Sequence, residues 1–134
     1  TVKVIDSSAL SKYVNREANW KEVRKHLEEG CMTLDLAIKE VGNSIWKRVS
    51  RGELDPDTAM SLFKDLVILK PFKTASQEDL LDVKALETAI RQGITIYDAL
   101  FIQFSKELNL PLLTSDKRQA EASQKTGVET TYVE

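Results

Sequence analysis

The chain has 134 residues, of which 42% are hydrophobic and 30% are charged, and this balance predicts one folded domain over residues 1–134. The net charge of −2 excludes a strong overall basic field, although a local basic patch is still compatible with it. No apolar run approaches the ~18 residues of a membrane span, no signal-peptide pattern is found, and the single Cys31 excludes an intrachain disulfide, so we expect a cytoplasmic protein.

Strand and helix patterns alternate along the chain. The β-branched run Val2–Ile5 predicts a buried strand that ends at Asp6. In chain order, the remaining patterns predict helices over 7–14 and 20–29, a strand over 31–34, helices over 35–51 and 55–66, a strand over 67–69, helices over 76–92 and 95–108, a strand over 110–114, a helix over 116–126 and a strand over 128–133. Ser76 and Asp79 have the spacing of a capping box for the helix over 76–92.

This order predicts an α/β fold with a mostly parallel sheet and helices on both faces. Ligands of such sheets bind at the carboxyl ends of the strands. Asp6 follows the first strand and Asp116 follows the fourth, so both are expected at that edge. Asp98 lies in the first turn of a helix and is the only charged residue between Ile94 and Phe104. The beginning of that helix could face the same edge.

A fourth acid, Glu40, lies on the long helix over 35–51. It shares one face with Ser44, Lys47 and Arg51, about opposite the apolar stripe of that helix, and Asn43 lies one turn on. An acid and an amide on a face that continues into two bases are suited to contact both a metal ion and a phosphate chain.

Each acid also has a purely structural interpretation. Asp6 and Asp116 could each cap the helix that follows. Thr95 and Asp98 have the spacing of a capping box, and Glu40 could be an ordinary solvated residue. Capping does not explain, however, why acids from separate elements would gather at one edge of the predicted sheet.

Four segments of the chain resemble the signature segments of the PIN-domain ribonucleases. They are V-I-D-S-S-A-L at 4–10, L-A-I-K-E-V-G-N at 36–43, Y-D-A-L-F-I at 97–102 and L-L-T-S-D at 112–116. Their order and spacing are most similar to the VapC-type toxins of prokaryotic toxin–antitoxin pairs. The resemblance implies a three-layer α/β/α sandwich with about five strands. It also implies that an Mg²⁺ or Mn²⁺ ion is bound by the four acids, Asp6, Glu40, Asp98 and Asp116, with Thr114 and Asn43 at accessory polar positions.

The same resemblance implies a metal-dependent endoribonuclease, an antitoxin partner and a homodimer. The candidate RNA contacts are Lys47, Arg51, Lys117 and Arg118, and Arg48 could line the same side of the RNA path as Lys47 and Arg51. Trp46 and Tyr97 could stack on bases, although core packing is the first expectation for both. The dimer contact is expected to use Trp20 or exposed aliphatic side chains of the second and fourth helices.

Three other functions fit parts of the sequence. A receiver-like or phosphatase-like domain would be phosphorylated at Asp6, but it needs a positioned lysine late in the chain and gives Glu40 no role. A catalytically silent binding module would keep the fold alone, and the intact set of four acids argues against it. An RNA-maturation nuclease of the same fold is the third, and no residue distinguishes it from a toxin.

Overall fold

Five short strands form one sheet in the computed structural model, which describes residues 1–134. They are β1 (Lys3–Ile5), β2 (Cys31–Leu34), β3 (Lys73–Ala75), β4 (Leu112–Thr114) and β5 (Thr130–Tyr132). Their order in the sheet is β3-β2-β1-β4-β5, and all four neighbouring pairs are parallel. The predicted parallel sheet is therefore confirmed.

Seven helices connect and cover these strands. They are α1 (Ser7–Val14), α2 (Trp20–Glu29), α3 (Asp35–Ser50), α4 (Pro56–Leu69), α5 (Val83–Gln92), α6 (Ile96–Leu108) and α7 (Lys117–Lys125), with a short 3₁₀ turn at Gln77–Leu80. Right-handed crossovers put α1–α4 on one face of the sheet and α5–α7 on the other, which gives the expected α/β/α sandwich. None of the helices combines the length and the apolar character needed to cross a membrane.

The central strands β1 and β4 lie in the middle of a core of 27 buried residues. Val4, Ile5, Leu112 and Leu113 are completely buried, as expected for strands that are covered on both faces. On one side, α3 and α4 pack so closely that a methyl group at Gly42 would come within 2.9 Å of an aromatic ring on α4. The two central strands thus provide a rigid base for whatever follows their carboxyl ends.

The strand order reverses between β1 and β4. The chain leaves β1 through α1 and α2 toward β2 on one side, and it leaves β4 through α7 toward β5 on the other side. In parallel sheets, such a reversal opens a crevice at the carboxyl ends of the two strands, where ligands bind. Asp6 directly follows β1, and Asp116 follows β4 after one intervening residue.

The prediction for the third strand was wrong. Residues 67–69 continue α4, which ends only at Leu69, and β3 lies four residues later at Lys73–Ala75. The apolar run Val67–Leu69 is exposed, so it does not form the buried strand that its composition indicates. The actual β3 is an edge strand without an apolar pattern, and its place depends on its pairing with β2.

The predicted helix over 76–92 is divided into the 3₁₀ turn and α5. Asp82 caps α5 by accepting a hydrogen bond from the Ala85 backbone N–H at 3.1 Å. Ser76 makes no capping hydrogen bond, so the predicted capping box is also wrong. Instead, the Gln77 N–H donates to Asp35 at the start of α3 at 2.9 Å, which holds the turn against a different element.

Candidate active site

Asp6 is a buried carboxylate at the junction of β1 and α1. It caps α1 by accepting from the Ala9 N–H at 3.1 Å, and it also accepts from the Ser8 hydroxyl at 2.7 Å. Burial raises the pKa of Asp6 to about 6, although hydrogen bonds from Thr114, Ser8 and Ala9 oppose this rise. The predicted cap is therefore present, but it leaves the negative charge of this carboxylate undercompensated.

A cluster of hydroxyl groups joins the ends of β1 and β4. The hydroxyl oxygens of Ser8 and Thr114 are 3.1 Å apart, and the Ser115 N–H donates to the Ser8 oxygen at 2.9 Å. Thr114 is fully buried and accepts from the Asp116 N–H at 3.1 Å. The structure thus places Thr114 beside Asp6. The sequence interpretation gave Ser8 no role, although it is the common partner of both strand ends.

Glu40 is half-buried on α3 and accepts a hydrogen bond from the Ser7 hydroxyl at 2.6 Å. It is therefore not the solvated surface residue that local sequence allowed. The helix face of Glu40 and Ser44 packs against α1 through hydrogen bonds from Ser7 and Ser11. Glu40 is consequently held next to the first residue after Asp6.

Asp98 lies in the first turn of α6, where Thr95 accepts a hydrogen bond from its backbone N–H at 3.2 Å. Burial raises the pKa of Asp98 to about 6, and the negative charges of Asp116 and Glu40 add to the rise. The Thr95 hydroxyl and the positive charge of Arg118 act in the opposite direction. Asp98 is therefore within the electrostatic reach of two acids that belong to other elements.

Asp116 is exposed and caps α7 by accepting from the Gln119 N–H at 3.2 Å. Two side chains of α7 hold the start of that helix against α6 and against the end of α5. The Gln119 amide donates to the backbone carbonyl of Asp98 at 2.8 Å, and Arg118 donates to the carbonyl of Gly93 at 2.6 Å. These bonds explain why Asp116 and Asp98 are close enough for one charge to raise the pKa of the other.

The four acids therefore gather at one crevice from four different elements. The charge of Asp98 also raises the pKa of Asp6, which connects all four electrostatically. No three acidic, histidine or cysteine side chains are nevertheless arranged to hold a metal ion directly. Glu40 is turned toward Ser7, and Asp116 is turned toward its own helix. The electrostatic field for a cation is present, while the carboxylate oxygens are directed at hydrogen-bond donors of the chain.

This donor set fits a hard divalent cation. Carboxylate oxygens are the preferred ligands of Mg²⁺ and Mn²⁺. A cation would stabilise the charged forms of Asp6 and Asp98, whose pKa values are raised first by burial and further by repulsion from neighbouring acids. The fit rests on the oxygen ligands that the four acids offer and on the combined negative potential of their charges.

The other predicted polar residues are distributed unevenly around the crevice. Asn43 is exposed and makes no side-chain hydrogen bond, so the structure does not join it to the acids. Lys117 is exposed at the start of α7, one residue after Asp116, whereas the adjacent Arg118 is held by the Gly93 carbonyl. The remaining two candidates are Lys47, on α3 beyond Glu40, and Arg51, directly after the end of α3, and both line a polar cleft.

Two aromatic residues differ from their predicted environments. Trp46 and Tyr97 are 62% and 54% exposed, so the first expectation of core packing was wrong for both. Trp20, a predicted dimer contact, is half-buried, and the Arg16 guanidinium lies 4.2 Å from its ring centroid. By contrast, Cys31 is buried, and its burial raises the pKa of the thiol to about 11, as expected for a structural thiol.

Comparisons with known proteins cover nearly the whole chain. The sequence model of the PIN domain matches residues 3–125. Ribonuclease VapC3 from Pyrobaculum aerophilum is 31% identical over 121 residues, which cover 88% of this chain and 92% of the relative. Exonuclease VapC9 from the same organism is 31% identical over 114 residues, with coverages of 85% and 80%. The crystal structure of PAE2754, also from this organism, matches with a TM-score of 0.71 and 26% identity over 97% of this chain and 92% of that one.

Proposed function

We propose, from the premise that this chain belongs to the PIN-domain family and is of its VapC type, that it is a metal-dependent endoribonuclease. The proposed reaction is hydrolysis of RNA phosphodiester bonds by water. The observation that carries this proposal is the gathering of four acids from four elements, two of which have pKa values raised to about 6. Support for RNA as the substrate comes from the relative named Ribonuclease VapC3.

Asp6, Glu40, Asp98 and Asp116 are the residues that would hold Mg²⁺ or Mn²⁺. Such an ion supplies positive charge to a phosphate oxygen and to the attacking water. Because the pKa values of Asp6 and Asp98 lie near 6, protons compete with the cation below that pH, and metal affinity is expected to fall there.

The chain contributes fixed geometry and a base. The Asp6 carboxylate is held by Ser8 and the Ala9 N–H, and Glu40 is held by Ser7, so neither needs to be ordered by substrate. Asp98 is proposed to orient the water and to accept its proton on a carboxylate oxygen, since a pKa near 6 makes this group more basic than an ordinary aspartate. Glu40 is the alternative base.

In the proposed reaction, the water oxygen attacks phosphorus and the bond to the 3′-oxygen breaks. By family analogy, the products carry a 5′-phosphate and a 3′-hydroxyl. The proposed phosphate contacts around the crevice are Lys47, Arg51, Lys117 and Arg118, with Thr114 and Asn43 as accessory polar groups. The exposed Tyr97 directly precedes Asp98 and is available to stack on a base, as is Trp46.

The VapC type further supports a role as the toxin of a toxin–antitoxin pair in the cytoplasm, with an antitoxin protein as partner and a homodimer as the assembly. Partner contacts need apolar surface, and six of the strongly exposed aliphatic side chains of this chain are on α4 and α5. They are Met60, Ile68 and Leu69 on α4 and Val83, Leu86 and Ile90 on α5. We therefore propose the fourth and fifth helices, in place of Trp20, as the contact surfaces.

Cleavage from RNA ends is the second candidate, because one relative is named Exonuclease VapC9. A phosphorylated aspartate is disfavoured, since Asp6 is only 3% exposed and already bonded to Ser8 and Ala9.

An assay on circular and linear single-stranded RNA separates these possibilities. With Mn²⁺ or Mg²⁺, we expect cleavage of both forms, and EDTA should abolish it. Asp98→Asn should lower the rate by about 10²–10⁴-fold, the usual contribution of a general base, whereas Asp79→Asn, an exposed acid in the 3₁₀ turn, should match wild type. Cleavage of the linear form alone would favour the exonuclease, and cleavage that persists in EDTA or in Asp98→Asn would contradict the proposed site.

A further inference from the structure

Three polar pairs join α1 to α3 along a line that begins at the candidate active site. We call this line the α1–α3 seam; it consists of Ser7 and Ser11 on α1 with Asn15 directly after this helix, and of Glu40, Ser44 and Arg48 on α3. The Ser7 hydroxyl donates to Glu40 at 2.6 Å, the Ser11 hydroxyl donates to Ser44 at 3.0 Å, and Arg48 donates to the Asn15 carbonyl oxygen at 2.9 Å. Successive pairs are four residues apart on each helix, so each pair lies one turn beyond the last.

The seam ends in a positively charged cleft of about 420 Å³ with no hydrophobic lining residue. Three bases, Lys47, Arg48 and Arg51, line it together with two acids, Glu17 and Glu53. None of these five residues takes part in any of the four ion pairs of the chain. The cleft therefore carries an excess of positive charge that the protein itself does not pair.

Arg48 is the half-buried base of this cleft, and Asn15 fixes its orientation. The Asn15 amide donates to the Ser11 backbone carbonyl at 3.1 Å, and it also approaches the hydroxyls of Ser11 and Ser44 at 3.1 and 3.3 Å. This leaves the Asn15 carbonyl oxygen directed at Arg48. A guanidinium has five N–H donors, and only one of them is used here. The others are available to a planar oxyanion such as phosphate.

The distance along the seam suits a nucleic-acid strand. Glu40 and Arg48 are eight residues apart on α3, which corresponds to ~12 Å of helix. A strand that advances at least ~3.4 Å per phosphate covers this distance in about three nucleotides or fewer. A strand with its reacting phosphate beside Glu40 can therefore place another phosphate beside Arg48.

We propose that the cleft at the end of the α1–α3 seam binds a phosphate of the RNA strand about three nucleotides or fewer from the cleaved bond. Arg48 is the principal ligand, the exposed Lys47 adds positive charge, and Asn15 is a positioning residue that acts through Arg48. This assignment rests on the proposed nuclease function and adds a second anchoring point that determines how the strand lies across the acids.

The test measures binding of a fluorescent single-stranded oligouridylate to the cleavage-deficient Asp98→Asn protein as a function of salt. For single strands, each phosphate contact contributes ~0.7 to the slope of log affinity against log salt. Adding Arg48→Gln should reduce the magnitude of this slope by ~0.7 and weaken binding about 10-fold, as for loss of a charged hydrogen bond. Lys84→Gln is the matched control, because it removes one positive charge from α5 and should leave the slope unchanged.

Two further variants separate binding from folding. Lys47→Gln alters an exposed side chain and should also lower the slope, with no change in the thermal unfolding midpoint. Asn15→Asp supplies Arg48 with a carboxylate partner inside the protein, so it should weaken RNA binding, and its thermal unfolding midpoint measures what the lost amide donor costs the fold. If the slope stays unchanged in Arg48→Gln and Lys47→Gln, or falls equally in Lys84→Gln, the assignment of the cleft is wrong. If the wild-type protein neither binds nor cleaves RNA, the proposed function itself fails.

Discussion

The starts of α1 and α4 have the same local design and opposite electrostatics. Asp6 caps α1 through the Ala9 N–H, and Asp55 caps α4 through the N–H groups of Asp57 and Thr58. The pKa of Asp6 is raised to about 6, mainly by burial. The pKa of Asp55 is lowered from its ordinary value, mainly by its hydrogen bonds with Thr58, since this carboxylate is fully exposed.

The comparison shows that a capping hydrogen bond does not by itself determine the functional role of an aspartate. Both carboxylates receive the partial positive charge of a helix N-terminus. Only Asp6 lies at the crevice where the strand order reverses, beneath the surface and near a second acid, Asp98. Capping and metal binding are thus compatible roles, and tertiary position distinguishes the two aspartates.

The largest expected difference between the two helix starts is in RNA cleavage. Asparagine is nearly isosteric with aspartate and is also a good N-cap, so Asp6→Asn and Asp55→Asn both preserve capping. Asp6→Asn should reduce the cleavage rate by more than about 10²-fold, because even outer partners of metal ligands are worth about 10–100-fold. Asp55→Asn should retain the wild-type rate. Initial cleavage rates at saturating Mn²⁺ provide the measurement. An equal loss of cleavage rate in the two variants would contradict the distinction between the two helix starts.

The next effect is a dependence of stability on pH in the metal-free protein. The unfolded chain has an Asp6 pKa of about 4, whereas the folded value is about 6. Protonation of Asp6 therefore stabilises the folded state relative to the unfolded state. This stabilisation is fully present below pH 4 and is lost as the pH rises through 6. The full difference corresponds to about 3 kcal/mol in the free energy of unfolding. In EDTA, Asp6→Asn should remove this loss and be more stable than wild type at about pH 8.

Urea unfolding in EDTA at about pH 4 and pH 8 measures this effect. Wild type should lose stability between the two values, and the variant should lose less. The pKa of Asp98 is also raised, so a smaller dependence of stability on pH should persist in Asp6→Asn. An Asp6→Asn protein that is less stable than wild type at pH 8 would mean that the buried charge is compensated by groups other than a cation.

The sequence was sufficient to predict the parallel sheet and the edge of the sheet at which Asp6 and Asp116 lie, because both predictions follow from the alternation of apolar runs and helices. It was insufficient for β3. The residues of Lys73–Ala75 carry no apolar pattern, and pairing with β2 alone makes them a strand. The exposed run Val67–Leu69 has strong strand propensity, but continuation of α4 overrides it.

The hydroxyl cluster was missed for a different reason. Ser8 follows Asp6 by two residues, and a serine at a helix start has an ordinary local explanation. Its partner Thr114 is 106 residues away, so their contact exists only in the folded chain. The motif V-I-D-S-S at 4–8 contained the signal in the form of two small hydroxyl residues directly after the acid.

Ser8 provides a third test of the difference between the starts of α1 and α4, since the start of α4 has no corresponding hydroxyl cluster. Ser8→Ala removes a donor to Asp6 and the acceptor of the Ser115 N–H. Cleavage should fall about 10-fold, at the low end of the range for groups that orient metal ligands. The free energy of unfolding should fall by about 1 kcal/mol because a partly buried N–H loses its partner. Ser61→Ala on the exposed face of α4 is the control, and equal rates in the two alanine variants would remove Ser8 from the site.

The smallest effect is expected at the start of α4, and its sign is opposite to that of Asp6. The folded pKa of Asp55 is lowered, so its carboxylate contributes stability above the ordinary value of about 4, and this contribution is lost as the pH falls through the folded pKa. Asp55→Ala should therefore slightly lower the thermal unfolding midpoint at neutral pH, and the difference from wild type should shrink in acid. Its cleavage rate should equal that of wild type at every pH. A loss of cleavage in Asp55→Ala would show that the exposed cap is coupled to the crevice, and tertiary position would then no longer separate the two aspartates.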